Sequence, residues 1–177
     1  ALKCASDLDP KDPQISSQVG VLLIRKDPMQ AIEYLKRAVK AKPNDGDYVH
    51  QLGLAYRKAT TKMTGPGNAA KVKQYLKQAE KHLRKAASIK EDSAELEFDL
   101  GVLYRRMEKA QKAIEHYERA TNLKPKMAAA WWDLAHMYKQ VKRNDDSALA
   151  YQKYINLGGK DRKIARQRIK ELRGKKK

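Results

Sequence analysis

The chain has a single cysteine, Cys4, among 177 residues. An internal disulfide needs two, and a cysteine-cluster zinc site needs more, so both are excluded. A lone thiol fits a reducing compartment, which favours the cytoplasm. Six Pro and nine Gly are too few for a collagen-like or linker protein. Aromatics make up 7%, with one Phe and two Trp. No apolar run approaches the roughly 18 residues of a membrane span, and the first residues lack the apolar core of a secretory leader. Membrane insertion is therefore not expected. Acidic residues are also scarce: 21 Asp+Glu face 39 Lys+Arg, for a net charge of +18. The 41% of hydrophobic residues nevertheless suffices for a core and excludes a disordered polyelectrolyte.

The excess charge is concentrated. Residues 1–57 carry nine basic and seven acidic side chains, and residues 91–159 carry eleven of each. Residues 58–90 carry nine basic side chains against Glu80 alone, and residues 160–177 carry ten against Asp161 and Glu171. Basic segments of this kind favour acidic partners.

An internal period organises the rest. Leu100 and Leu134, Gly101 and Ala135, Tyr104 and Tyr138, Tyr117 and Tyr151, and Leu123 and Leu157 each stand 34 residues apart. Gly20 and Gly53, like Pro10 and Pro43, stand 33 apart. Counted from Pro13, Gly46, Ala94 and Ala128, the seventh residue is aliphatic (Val19, Leu52, Leu100, Leu134). The eighth is small (Gly20, Gly53, Gly101, Ala135) and the eleventh large (Leu23, Tyr56, Tyr104, Tyr138). Small residues recur later at Ala31, Ala79, Ala113 and Ser147, and again at Ala38, Ala86 and Ala120, with Tyr154 breaking the second set. Small positions let paired helices approach and large ones fill the space beside them. No alternating strand pattern competes with the helical period.

This sequence resembles the tetratricopeptide repeat (TPR) family, whose unit is a pair of antiparallel helices. The resemblance implies an all-α fold, a right-handed α-solenoid of helix pairs with a C-terminal capping helix. It divides the chain into a solenoid over residues 1–159 and a basic capping helix and tail over 160–177. Within the solenoid, 1–10 form a partial unit, followed by 13–45, 46–93, 94–127 and 128–159. The unit over 46–93 holds extra residues around Gly65-Pro66-Gly67, after which Asn68 is expected to cap a long helix with Val72, Leu76, Ala79, Leu83 and Ala86 on its apolar face. In the last helix, Ile164, Ala165, Ile169 and Leu172 are expected to cover the end of the solenoid.

No catalytic constellation is visible. His50, His82, His116 and His136 lack neighbours at metal-ligand spacing, Cys4 has no nearby histidine, and the glycines do not form a phosphate loop. The expectation is a non-enzymatic protein with no metal and no cofactor.

Binding remains. In TPR proteins the first helix of each pair lines a concave groove. Carried over by position, the resemblance places His50, Gln51, Leu54, Arg57, Phe98, Val102, Arg105, Arg106, Trp132, His136 and Lys139 there, with Trp131 packing in the core. The resemblance implies a protein or peptide partner, of acidic character because of the groove's basic edge. The Asn residues by which one TPR subtype clamps C-terminal carboxylates are missing. His50-Gln51-Leu52-Gly53-Leu54-Ala55-Tyr56-Arg57, with the following insertion, also resembles a segment of the interferon-induced TPR proteins, which bind RNA. That resemblance implies RNA as the alternative ligand of a basic concave surface.

Overall fold

A computed structural model describes residues 12–174. The expected partial unit over 1–10, with Leu2, Ala5, Leu8 and Pro10, lies outside the described residues. Every regular element among those described is helical. The chain forms two compact units that divide between Glu91 and Asp92.

The N-terminal unit contains α1 (Pro13–Leu23), α2 (Pro28–Ala41), α3 (Gly46–Ala59) and α4 (Ala69–Ile89). Its helix starts are written in the local sequence. Asp12, Asp27 and Asp45 each accept a hydrogen bond from backbone N–H groups of the first turn, which otherwise have no partner within the helix. Pro13 and Pro28 occupy the first helical position, where a missing N–H costs nothing. Asn68 does not act as expected. Its side chain makes no capping bond; its Nδ2 instead donates to the Thr64 carbonyl at 2.7 Å. The turn before it is occupied by two short 3-10 segments, Thr60–Lys62 and Pro66–Asn68, and Asn68 keeps a helical φ of −95° and ψ of −5° rather than the extended form a cap needs.

The C-terminal unit contains α5 (Ala94–Arg106), α6 (Ala110–Leu123), α7 (Ala128–Gln140), α8 (Asn144–Asn156) and α9 (Arg162–Gly174). In both units consecutive helices pack on one another.

The pairs lock through the small residues of the repeat. Ala31, Ala79, Ala113 and Ser147 are all fully buried. A side chain at Gly20 would start 2.5 Å from Leu35, at Gly53 2.8 Å from Leu83, and at Gly101 2.5 Å from the Tyr117 ring. Helices α1, α3 and α5 thus give up a side chain where the partner helix inserts a large one. Burying a leucine of this kind is worth ~1.5–3 kcal/mol. In α4, Leu76, Ala79, Leu83 and Ala86 are buried as the stripe predicts, while Val72 is half-buried.

Tyr154 explains one departure from the repeat. Its buried ring occupies the space that a side chain at Gly159 would enter. Its hydroxyl accepts a hydrogen bond from the Asp161 N–H at 2.9 Å. The larger residue is accommodated by the glycine after the helix.

Two packing expectations are corrected. Ile164 remains 46% exposed, whereas Ala165, Ile169 and Leu172 are buried. Among the described residues the backbone of α9 approaches only that of α8, so a single narrow i, i+4, i+7 stripe is covered and a residue 100° away is not. Trp131 is half-buried rather than core; its indole N–H donates to the Pro125 carbonyl at 2.8 Å, which holds the ring at the loop.

Candidate groove on the first helices

The groove candidates form three stripes with one spacing. His50, Leu54 and Arg57 lie on α3, Phe98, Val102 and Arg105 on α5, and Trp132, His136 and Lys139 on α7. Residues at i, i+4 and i+7 share a helix face. Gln51 and Arg106 stand beside the stripes. The α3 stripe belongs to the N-terminal unit, where His50, Gln51, Leu54 and Arg57 are all half-buried.

In the C-terminal unit α5 and α7 are neighbours. Arg105 on α5 reaches Asp133 on α7, with N to O 3.3 Å. The other oxygen of Asp133 accepts from the Tyr117 hydroxyl at 3.4 Å. Phe98 is half-buried with its ring 5.7 Å from that of Tyr117. Val102 is half-buried and Arg106 exposed.

Trp132 organises an aromatic cluster. Its ring lies 4.8 Å from Tyr154, 5.5 Å from Tyr151 and 4.9 Å from His136. Beside it is a cavity of about 460 Å³, lined by Trp132, Asp133, Tyr154, Leu157 and Lys160 among others. The His136 imidazole is held below its ordinary pKa, first by burial and then by Arg168, Arg105 and Lys139, with Asp133 opposing. Burial pushes the Tyr151 hydroxyl up to about 12, with Arg168 opposing and Glu171 adding to the rise. Both groups are therefore neutral near pH 7. The Tyr151 hydroxyl is buried without a hydrogen-bond partner among the described residues, unlike its repeat counterpart Tyr117.

Helix α9 contributes side chains that position counting on α3, α5 and α7 misses. Glu171 lies 3.6 Å from the Lys139 ammonium and 3.0 Å from Arg168, and it accepts from the Gln167 amide at 3.2 Å. A signal was present, because Arg162 follows Ala128 by 34 residues and α9 therefore stands where a further first helix would begin.

The arrangement is suited to binding. Arg105 and Lys139 are engaged in ion pairs, and the aromatic rings meet edge-on or tilted. Among the described residues no three His, Cys, Asp or Glu side chains come together as metal ligands, and no helix is long and apolar enough to cross a membrane.

A sequence model of the tetratricopeptide repeat matches residues 98–162. None of the curated proteins matches the chain. Solved structures share the fold. TTC0263, a thermophilic TPR protein of Thermus thermophilus, is 22% identical, with 97% of this chain and 86% of that one covered at a TM-score of 0.76. MamA is 23% identical, with 89% and 85% covered at 0.72. PilF of Pseudomonas aeruginosa is 17% identical, with 92% and 68% covered at 0.73. The match identifies tetratricopeptide repeats over residues 98–162, and the 34-residue period and the helix pairs built on its small positions give the described residues the fold of the solved TPR structures.

Proposed function

We propose that the chain is a non-enzymatic interaction scaffold that holds a segment of a partner protein on the face formed by α5, α7 and α9. The observation that carries this reading is the cavity of about 460 Å³ beside Trp132. It offers a partner's apolar side chain a recess with an aromatic wall, and half-buried Val102 and Phe98 extend the apolar surface on α5. Anchors of this kind dominate interface energies when paired charges surround them.

The RNA reading of this same face has less support. Arg105 is engaged by Asp133 and Lys139 by Glu171, so the basic edge does not present a continuous track for phosphates.

The test is selection of peptides from a displayed library, followed by calorimetry on the selected peptide. Phe98→Ala and Trp132→Ala are each expected to weaken binding by ~2 kcal/mol, roughly 30-fold, with folding checked by thermal melts. Variants that melt normally and bind the peptide as tightly as the parent chain would refute the groove.

A further inference from the structure

Helix α4 differs from the other second helices of the repeat. The outer positions of α2 mix Lys36, Arg37 and Lys40 with Glu33; α6 mixes Lys112 and Arg119 with Glu115 and Glu118; α8 has Lys153 with Asp145 and Asp146. On α4 stand Lys71, Lys73, Lys77, Lys81, Arg84 and Lys85, with Glu80 as the one carboxylate. Four of these cations, Lys73, Lys77, Lys81 and Lys85, follow one another at i, i+4 spacing, and all four are exposed. Arg84 is exposed on the same side. This ladder lies opposite the buried stripe of Leu76, Ala79, Leu83 and Ala86.

Folding does not require the ladder. Like charges at i, i+4 destabilise a helix, and the buried stripe would hold α4 in place with any polar residues outside. A surface that costs stability and contributes nothing to packing calls for a ligand that neutralises it. We propose that the outer face of α4 docks a double-stranded nucleic acid through its phosphates, without sequence preference.

Three observations select this occupant. The apolar face of α4 is already buried, so none is left to insert into a bilayer as an interfacial helix does. No exposed aromatic lies along the ladder: Tyr75 is half-buried with its ring 5.4 Å from that of Tyr56, so the stacking platform of single-strand binders is missing. The face also lacks the apolar anchors that fix a peptide, which leaves charge as the only recognition element. A duplex carries one negative charge per ~1.7 Å of axis. The ladder from Lys73 to Lys85 extends ~18 Å along a straight helix at ~1.5 Å per residue, so its lysines can meet several phosphates of one backbone.

The experiment measures affinity of the whole chain for a short DNA duplex by fluorescence anisotropy at several salt concentrations. Two four-site variants are compared: Lys73→Gln with Lys77→Gln, Lys81→Gln and Lys85→Gln on α4, and Lys163→Gln with Arg166→Gln, Lys170→Gln and Arg173→Gln on α9. Both remove the same charge. The α4 variant is expected to reduce the slope of log affinity against log salt by about 3–4, at ~0.9 per lost phosphate contact. Its affinity at 100 mM salt should fall at least tenfold, and its melting temperature should stay the same or rise. The α9 variant should retain most of the slope. Equal losses in the two variants would show that net charge alone drives binding and would overturn the proposal. So would tighter binding to single-stranded DNA, polyglutamate or phosphatidylserine vesicles than to the duplex at equal charge concentration.

Discussion

Glu108 and Lys142 stand 34 residues apart, and both adopt a left-handed backbone, with φ of 60° and 62°. Each turn closes with the same bond, from the Lys109 N–H to the Tyr104 carbonyl and from the Arg143 N–H to the Tyr138 carbonyl, both 2.9 Å. A side chain at such a φ costs ~1 kcal/mol or more, so Glu108→Gly and Lys142→Gly should each stabilise the fold by ~0.5–1 kcal/mol net of glycine's added chain entropy. Chemical denaturation reads this as a raised midpoint. At Gly101 the opposite holds: alanine would improve helix propensity by ~1 kcal/mol, but its Cβ would start 2.5 Å from the Tyr117 ring. Gly101→Ala should therefore lose ~1–3 kcal/mol through overpacking. His82 gives the N-terminal unit a pH dependence. Its ring stacks 5.7 Å from Tyr56, and burial, with Lys81 and Lys85, lowers its pKa from 6.5 to about 4. The folded state resists protonation, so stability is fully present above pH 6.5 and declines as pH falls toward 4. His82→Phe should keep the ring contact and lose less melting temperature than the parent between pH 7 and 4.5.

At the scale of elements, α9 is held by one neighbouring helix among those described. Ala165, Ile169 and Leu172 cover α8, and most of its other side chains are exposed. Truncation after Gly159 would uncover the apolar side of α8. At ~1.5–3 kcal/mol for each large side chain fully buried, the C-terminal unit should lose several kcal/mol. An unchanged melting temperature would show that α9 is not a cap. Helix α4 is the counterpart in the N-terminal unit: 21 residues long against 14 for α2, it retains the buried stripe of the repeat and bears the ladder of lysines outside it.

Over the whole molecule, the net charge of +18 is the dominant electrostatic fact. Self-repulsion of this size destabilises the compact state and is screened by salt. The melting temperature should rise between 20 and 300 mM sodium chloride, and less in the α4 lysine variant. A flat response would mean that the basic segments are already relieved by neighbours.

The helix pairs and their small contact positions were legible in the linear sequence, because periodicity is local and a glycine at the eighth position of a first helix carries its consequence within one or two turns. The caps were not: the one expected, at Asn68, does not form, and caps that do form, at Asp12, Asp27 and Asp45, were not anticipated. The candidate groove positions came from the resemblance to TPR proteins, and they fall on one face of each helix because i, i+4 and i+7 share a face wherever the helix goes. What lay across helices was not. That Asp133 meets Arg105, that Glu171 reaches Lys139, and that Trp132 joins Tyr151 and Tyr154 depend on how neighbouring helices pack. The exposure of Ile164 has the same origin, because how many neighbours a helix has is decided by packing and not by its own pattern of apolar residues.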